Sequence, residues 1–77
     1  MADFPSLQAS RLYGVLTREP LSYEVVRERG SHKTLKADGR PTLHLAFHDR
    51  VEVPPRLVRK ILTKDVGLSE EEALGLL

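Results

Sequence analysis

The chain has 77 residues, 40% of them hydrophobic, and a formal net charge of +1. That length predicts one domain spanning residues 1–77 and excludes a dinucleotide-binding fold, which needs several βαβ units. It has no cysteine, which excludes a disulfide framework, thiolate zinc sites and a thiol nucleophile. The opening Met1-Ala2-Asp3-Phe4-Pro5-Ser6 has neither the basic nor the apolar region of a secretory signal, and no apolar run reaches membrane-spanning length. A cytoplasmic protein is expected.

The first element reads as a helix. Ser6 after Pro5 suits an N-cap, and Leu7, Leu12, Val15 and Leu16 recur on one face with Tyr13 at its edge. Pro20 ends it. Tyr23–Arg29 is rich in aromatic and β-branched residues and reads as a strand. Gly30-Ser31 is a turn signal, and His32–Lys36 follows as a second strand. Asp38-Gly39 marks another hairpin. Thr42–His48 alternates, with Leu43, Leu45 and Phe47 on one side and His44, Ala46 and His48 on the other.

Pro54-Pro55 opens a second helix with Leu57, Val58, Ile61 and Leu62 as its apolar stripe. Leu57, Ile61 and Leu62 are expected in the core. Arg56, Arg59 and Lys60 fall largely off that stripe, and Gly67 stops the helix. Ser69 caps a short last helix whose first turn holds Glu70, Glu71 and Glu72. Charge is divided unevenly: residues 1–64 carry +5 and residues 65–77 carry −4. The class is α+β, in the order α-β-β-β-α with a further helix at the C-terminus.

A two-residue turn at Gly30-Ser31 sets Val26 opposite Leu35, and a three-residue loop at 38–40 sets Leu35 opposite Leu43. The apolar face so formed needs helices over it. The other face then holds Tyr23, Val25, Arg27, Arg29, His32, Thr34, Lys36, His44 and His48. It is basic and carries all three histidines. Histidine both accepts and donates protons near neutrality. RNA cleavage without a metal needs a base for the 2′-OH, an acid for the leaving oxygen and cations for the phosphorane charge. A zinc site is not expected. His44 and His48 lie about 13 Å apart along a strand, and no further cluster of ligands supports one.

Residues Tyr23–His32, an aromatic-led strand running into Gly30-Ser31-His32, resemble the signature of the HicA toxins, mRNA interferases of bacterial toxin–antitoxin pairs. Asp38-Gly39-Arg40, Leu45–His48, Pro54–Gly67 and the Leu-rich end are similar in order and spacing, so the resemblance covers roughly residues 6–77. It implies a double-stranded-RNA-binding-domain-like fold (dsRBD-like), with a three-stranded antiparallel sheet and the helices on one face. It also implies an endoribonuclease, His32 as catalytic residue placed by the Gly30-Ser31 turn, and a HicB-like antitoxin as partner in a hetero-oligomeric complex. With no cysteine and no convergent histidines, no cofactor is expected. Arg27, Arg29, Ser31, Lys33 and Lys36 are candidates for RNA contact, and His48 for a secondary role. Two other classes stay open: a non-catalytic RNA-binding module, which needs mainly the basic residues, and a protein-interaction module, which needs neither them nor His32.

Overall fold

The computed structural model describes residues 3–77, so Met1 and Ala2, part of the expected 1–77 domain, lie outside the described residues. Leu7–Gln8 form a short strand, β1, and Ala9–Thr17 form helix α1. Ser6 is therefore not the N-cap. Gln8 holds that position without a side-chain cap. Instead the Ala9 and Ser10 amides donate to the carbonyls of Val51 (2.8 Å) and Asp49 (3.0 Å). A distant loop satisfies the orphan donors that a cap side chain would otherwise meet.

Strands β2 (Glu24–Arg29), β3 (His32–Lys36) and β4 (Leu43–Ala46) form one antiparallel sheet in the order β2-β3-β4. Gly30 joins the first two at φ +61°, as the first central position of a type II′ turn requires. Arg29 then pairs with His32, and Arg27 with Thr34. Between Arg27 and Val25 the register slips at a bulge, so Val25 rather than Val26 stands opposite Leu35. Val26 is 52% exposed. One extra residue moves every earlier side chain to the other face. Tyr23 and Val25 thus belong to the helix-facing side, contrary to the even alternation. Tyr23 is 2% exposed and donates its hydroxyl to the Pro41 carbonyl at 2.8 Å.

Leu35 pairs with Leu43 as expected, followed by Thr34 with His44, Lys33 with Leu45 and His32 with Ala46. β4 stops at Ala46, two residues short of the expectation. Beyond it the Tyr13 hydroxyl takes the place of a strand partner. It donates to the Phe47 carbonyl (3.3 Å) and stands 3.4 Å from the Phe47 amide, which donates to it. Strand β5 (Glu52–Val53) then pairs antiparallel with β1.

Helix α2 (Pro55–Lys60) runs directly into a wider π turn at Ile61–Asp65, closed by the Val66 amide on the Ile61 carbonyl at 2.9 Å. Gly67 ends it at φ +96°. Ser69 caps helix α3 (Glu70–Gly75) in a full capping box: its hydroxyl accepts from the Glu72 amide, and the Glu72 carboxylate accepts from the Ser69 amide.

One hydrophobic cluster joins these parts. Leu12, Tyr13 and Leu16 of α1 meet Leu35, Leu43 and Leu45 of the sheet, Val58 of α2, Ile61 and Leu62 of the π turn, and Ala73 of α3. The helices cover one sheet face and leave the other open. Leu57 is not in this core. It is 36% exposed, because the buried stripe centres on Val58, Ile61 and Leu62 and leaves Leu57 on its flank. The protein is α+β with the α-β-β-β-α order, extended by the β1–β5 pair and α3.

Candidate active site and nucleic-acid interface

The pleat fixes which side chains share the open face. Leu35 and Lys33 lie on the helix side of β3, so His32, Thr34 and Lys36 lie on the other. Pairing then builds rows across the sheet: Arg29, His32 and Ala46; Arg27, Thr34 and His44; Glu24 and Lys36. His32 is the first residue of β3, directly after the Gly30-Ser31 turn, and is exposed. Arg29 stands opposite it on one side. Ala46 stands on the other, and its single methyl leaves the imidazole unscreened. Thr34 Oγ1 and His44 Nδ1 are 3.4 Å apart in the next row.

Arg27, Arg29 and Lys36 give this face a positive field against one carboxylate, Glu24. The arrangement offers a proton-transfer group flanked by fixed cations on a surface open to an extended ligand. Three of the five basic or polar candidates therefore share the face of His32.

The other two, Ser31 and Lys33, lead elsewhere. With Glu28, Gly30, Phe47, His48 and Asp49 they line a shallow cleft of about 140 Å³ at the turn end of the sheet. His48 is brought to Ser31 here, and His32 does not line this cleft. The Lys33 side chain is only 15% exposed. Its ammonium lies 4.0 Å from the centre of the Tyr13 ring and 3.3 Å from Asp49 Oδ1. Tyr13, Glu28 and Asp49 are absent from the candidates named on sequence grounds. Parity alone places Glu28 with Lys33, but nothing local in the sequence brings Tyr13 or Asp49 to them. Among the described residues no three His, Asp or Glu side chains converge as ligands for a metal ion.

Such a molecule is a small α+β domain with helices behind its sheet and one uncovered, basic sheet face. The chain belongs to the HicA toxin family. The family model described as HicA toxin of bacterial toxin-antitoxin matches residues 18–68, from just past α1 to just past Gly67. That span holds every candidate site residue and makes the protein a toxin of a toxin–antitoxin system. No curated protein and no solved structure gives a significant match. Among the described residues no helix is long and apolar enough to cross a membrane.

Proposed function

We propose that the protein is an endoribonuclease that cleaves mRNA without a metal cofactor, with His32 as its catalytic residue. The observation that carries this reading is the placement of an exposed histidine beside the Gly30-Ser31 turn, on the one sheet face the helices leave open, across from Arg29. Membership of a toxin family supports it.

In the proposed reaction the RNA 2′-oxygen attacks the adjacent phosphorus and loses its proton to a base. The P–O5′ bond breaks, and an acid protonates the leaving oxygen. His32 carries one of these proton transfers. Arg27, Arg29 and Lys36 hold the phosphates and offset the charge of the phosphorane. Ser31 contacts the backbone at the turn. Lys33 meets a phosphate only by exchanging its Asp49 partner, and His48 supports the cleft beside Ser31. A dsRBD-like domain reads RNA by shape and backbone rather than base sequence. The partner is a HicB-like antitoxin that covers the active face, and the pair acts in the cytoplasm.

His32→Ala tests this. Cleavage should fall about 10²–10⁴-fold, the range for one general acid or base. Unfolding should shift little, because an exposed residue at a turn packs against little. RNA and antitoxin binding should be largely retained. Cleavage should persist in chelator. A folded variant that still cleaves at the parent rate removes His32 from catalysis and favours the non-catalytic RNA-binding module.

A further inference from the structure

β4 is an outer strand of the sheet, and a groove of about 460 Å³ runs along it. Pro41, Thr42 and His44 form one wall; Lys60, Lys64 and Asp65 form the other. That second wall continues into a concavity of about 270 Å³ made by Arg56, Arg59, Lys60, Thr63 and Lys64. His44 belongs both to this groove and to the open sheet face.

The basic residues recur at i, i+3, i+4 and i+8, which is one stripe of a helix. In an α-helix each i+4 step drifts about 40° around the axis. The wider turn at Ile61–Asp65 winds more slowly and sets back that drift, which returns Lys64 to a position above Arg56. The stripe is about 12 Å long at the helical rise.

Its charges are incompletely balanced. Arg59 Nε donates to Glu70 Oε1 at 2.8 Å, and Lys60 lies 3.3 Å from Asp65. Arg56 and Lys64 form no ion pair among the described residues. Like charges four residues apart repel on a helix, and Asp65 offsets only the middle charge of the row Arg56–Lys60–Lys64. The concavity itself is lined only by charged side chains and Thr63, and the exposed Leu57, with Pro54 and Pro55, adjoins it only at the Arg56 end.

We propose that this stripe is a second phosphate-binding surface, which takes the RNA backbone as it leaves the sheet face across the β4 edge. It rests on the reading of the sheet as an RNA site. Glu70 holds Arg59 in reserve.

The test titrates full-length protein with a short, fluorescently labelled 2′-O-methyl RNA of mixed sequence over a range of salt concentrations. That probe lacks the attacking hydroxyl, so binding is read without cleavage. Each lost single-strand phosphate contact lowers the salt slope by about 0.7. Arg56→Gln/Lys64→Gln should therefore flatten the slope by about 1.4 and weaken binding about 25-fold at about 0.1 M salt, with the curves meeting near about 1 M. Glu70→Gln should tighten binding by up to about fivefold by releasing Arg59, a gain that misfolding cannot produce. Unchanged slope and affinity in the double variant, with its unfolding transition retained, overturns the proposal. So does unchanged RNA affinity with a lost protein partner, which makes the stripe a protein interface. If the parent protein cleaves RNA while these variants behave like it, only this inference falls. If the parent neither binds nor cleaves, the ribonuclease reading falls first.

Discussion

Lys33 is a cation whose charge the fold itself uses. Its stem is largely buried, and its ammonium is held between the Tyr13 ring and Asp49. A partly desolvated cation–π contact contributes about 1–2 kcal/mol, while a pair with an exposed Asp49 adds little. Lys33→Ala should therefore lower stability by about 1–2 kcal/mol, and Lys33→Met by less because it keeps the packing. Urea unfolding measures this, and an unchanged midpoint for Lys33→Ala would contradict the contact. Arg27→Ala and Arg29→Ala, on the open face, should leave unfolding within about 0.5 kcal/mol. The division between these basic residues was partly legible in the chain. Gly30-Ser31 fixes the register of the residues beside it, so His32, Arg29, Arg27 and Lys36 fall on one face by simple alternation. Tyr23 and Val25 do not, because the bulge lies between them and the turn. A bulge at Val26 leaves no glycine or other local signal to read.

At the scale of elements, local chemistry and tertiary context separate cleanly. Ser69 and the three glutamates after it specify α3 without outside help, and the structure forms the complete capping box there. The start of α1 shows the opposite case. Carbonyls of Asp49 and Val51, some forty residues later in the chain, cap it, and Ser6 lies outside the helix. The π turn after α2 follows an uninterrupted helical pattern, so an i→i+5 turn had no periodicity of its own to betray it. The capping box makes α3 sensitive to acid. Hydrogen bonds from the Ser69 backbone and side chain, larger in effect than desolvation, hold the Glu72 carboxyl below the usual carboxylate range. Its contribution is fully present above the ordinary glutamate pKa and is lost as pH falls through the lowered folded value. Amide exchange across residues 70–76 should rise in that acidic window. Ser69→Ala should raise it already at neutral pH, with a cost of about 1 kcal/mol. Protection of α3 that is flat across the acidic range would contradict this.

Across the whole molecule, the charge imbalance between body and tail has a structural outlet. The acidic residues 65–77 do not trail away. Glu70 meets Arg59, Asp65 meets Lys60, and Arg18 donates to the Leu76 carbonyl at 3.1 Å. Ala73 is fully buried, and Leu74, Leu76 and Leu77 pack on the central cluster. That cluster draws on α1, every paired layer of the sheet's inner face, α2 and α3, so the elements have no separate core in which to survive one another's loss. A chain of this size has about 5 kcal/mol of stability to spend before it unfolds. Leu35 sits at the centre, fully buried, with Val25 and Leu43 opposite it in the flanking strands. Leu35→Ala removes its contacts to the helices and leaves a void, at about 3 kcal/mol. Denaturant unfolding followed by both far-ultraviolet circular dichroism and tyrosine fluorescence should show one shared transition, displaced by that amount in the variant. Toxicity should fall with the folded fraction, whereas His32→Ala should lose it with the transition in place. Two separate transitions, or a Leu35→Ala protein as stable as the parent, would show that the helices and the sheet do not depend on a common core.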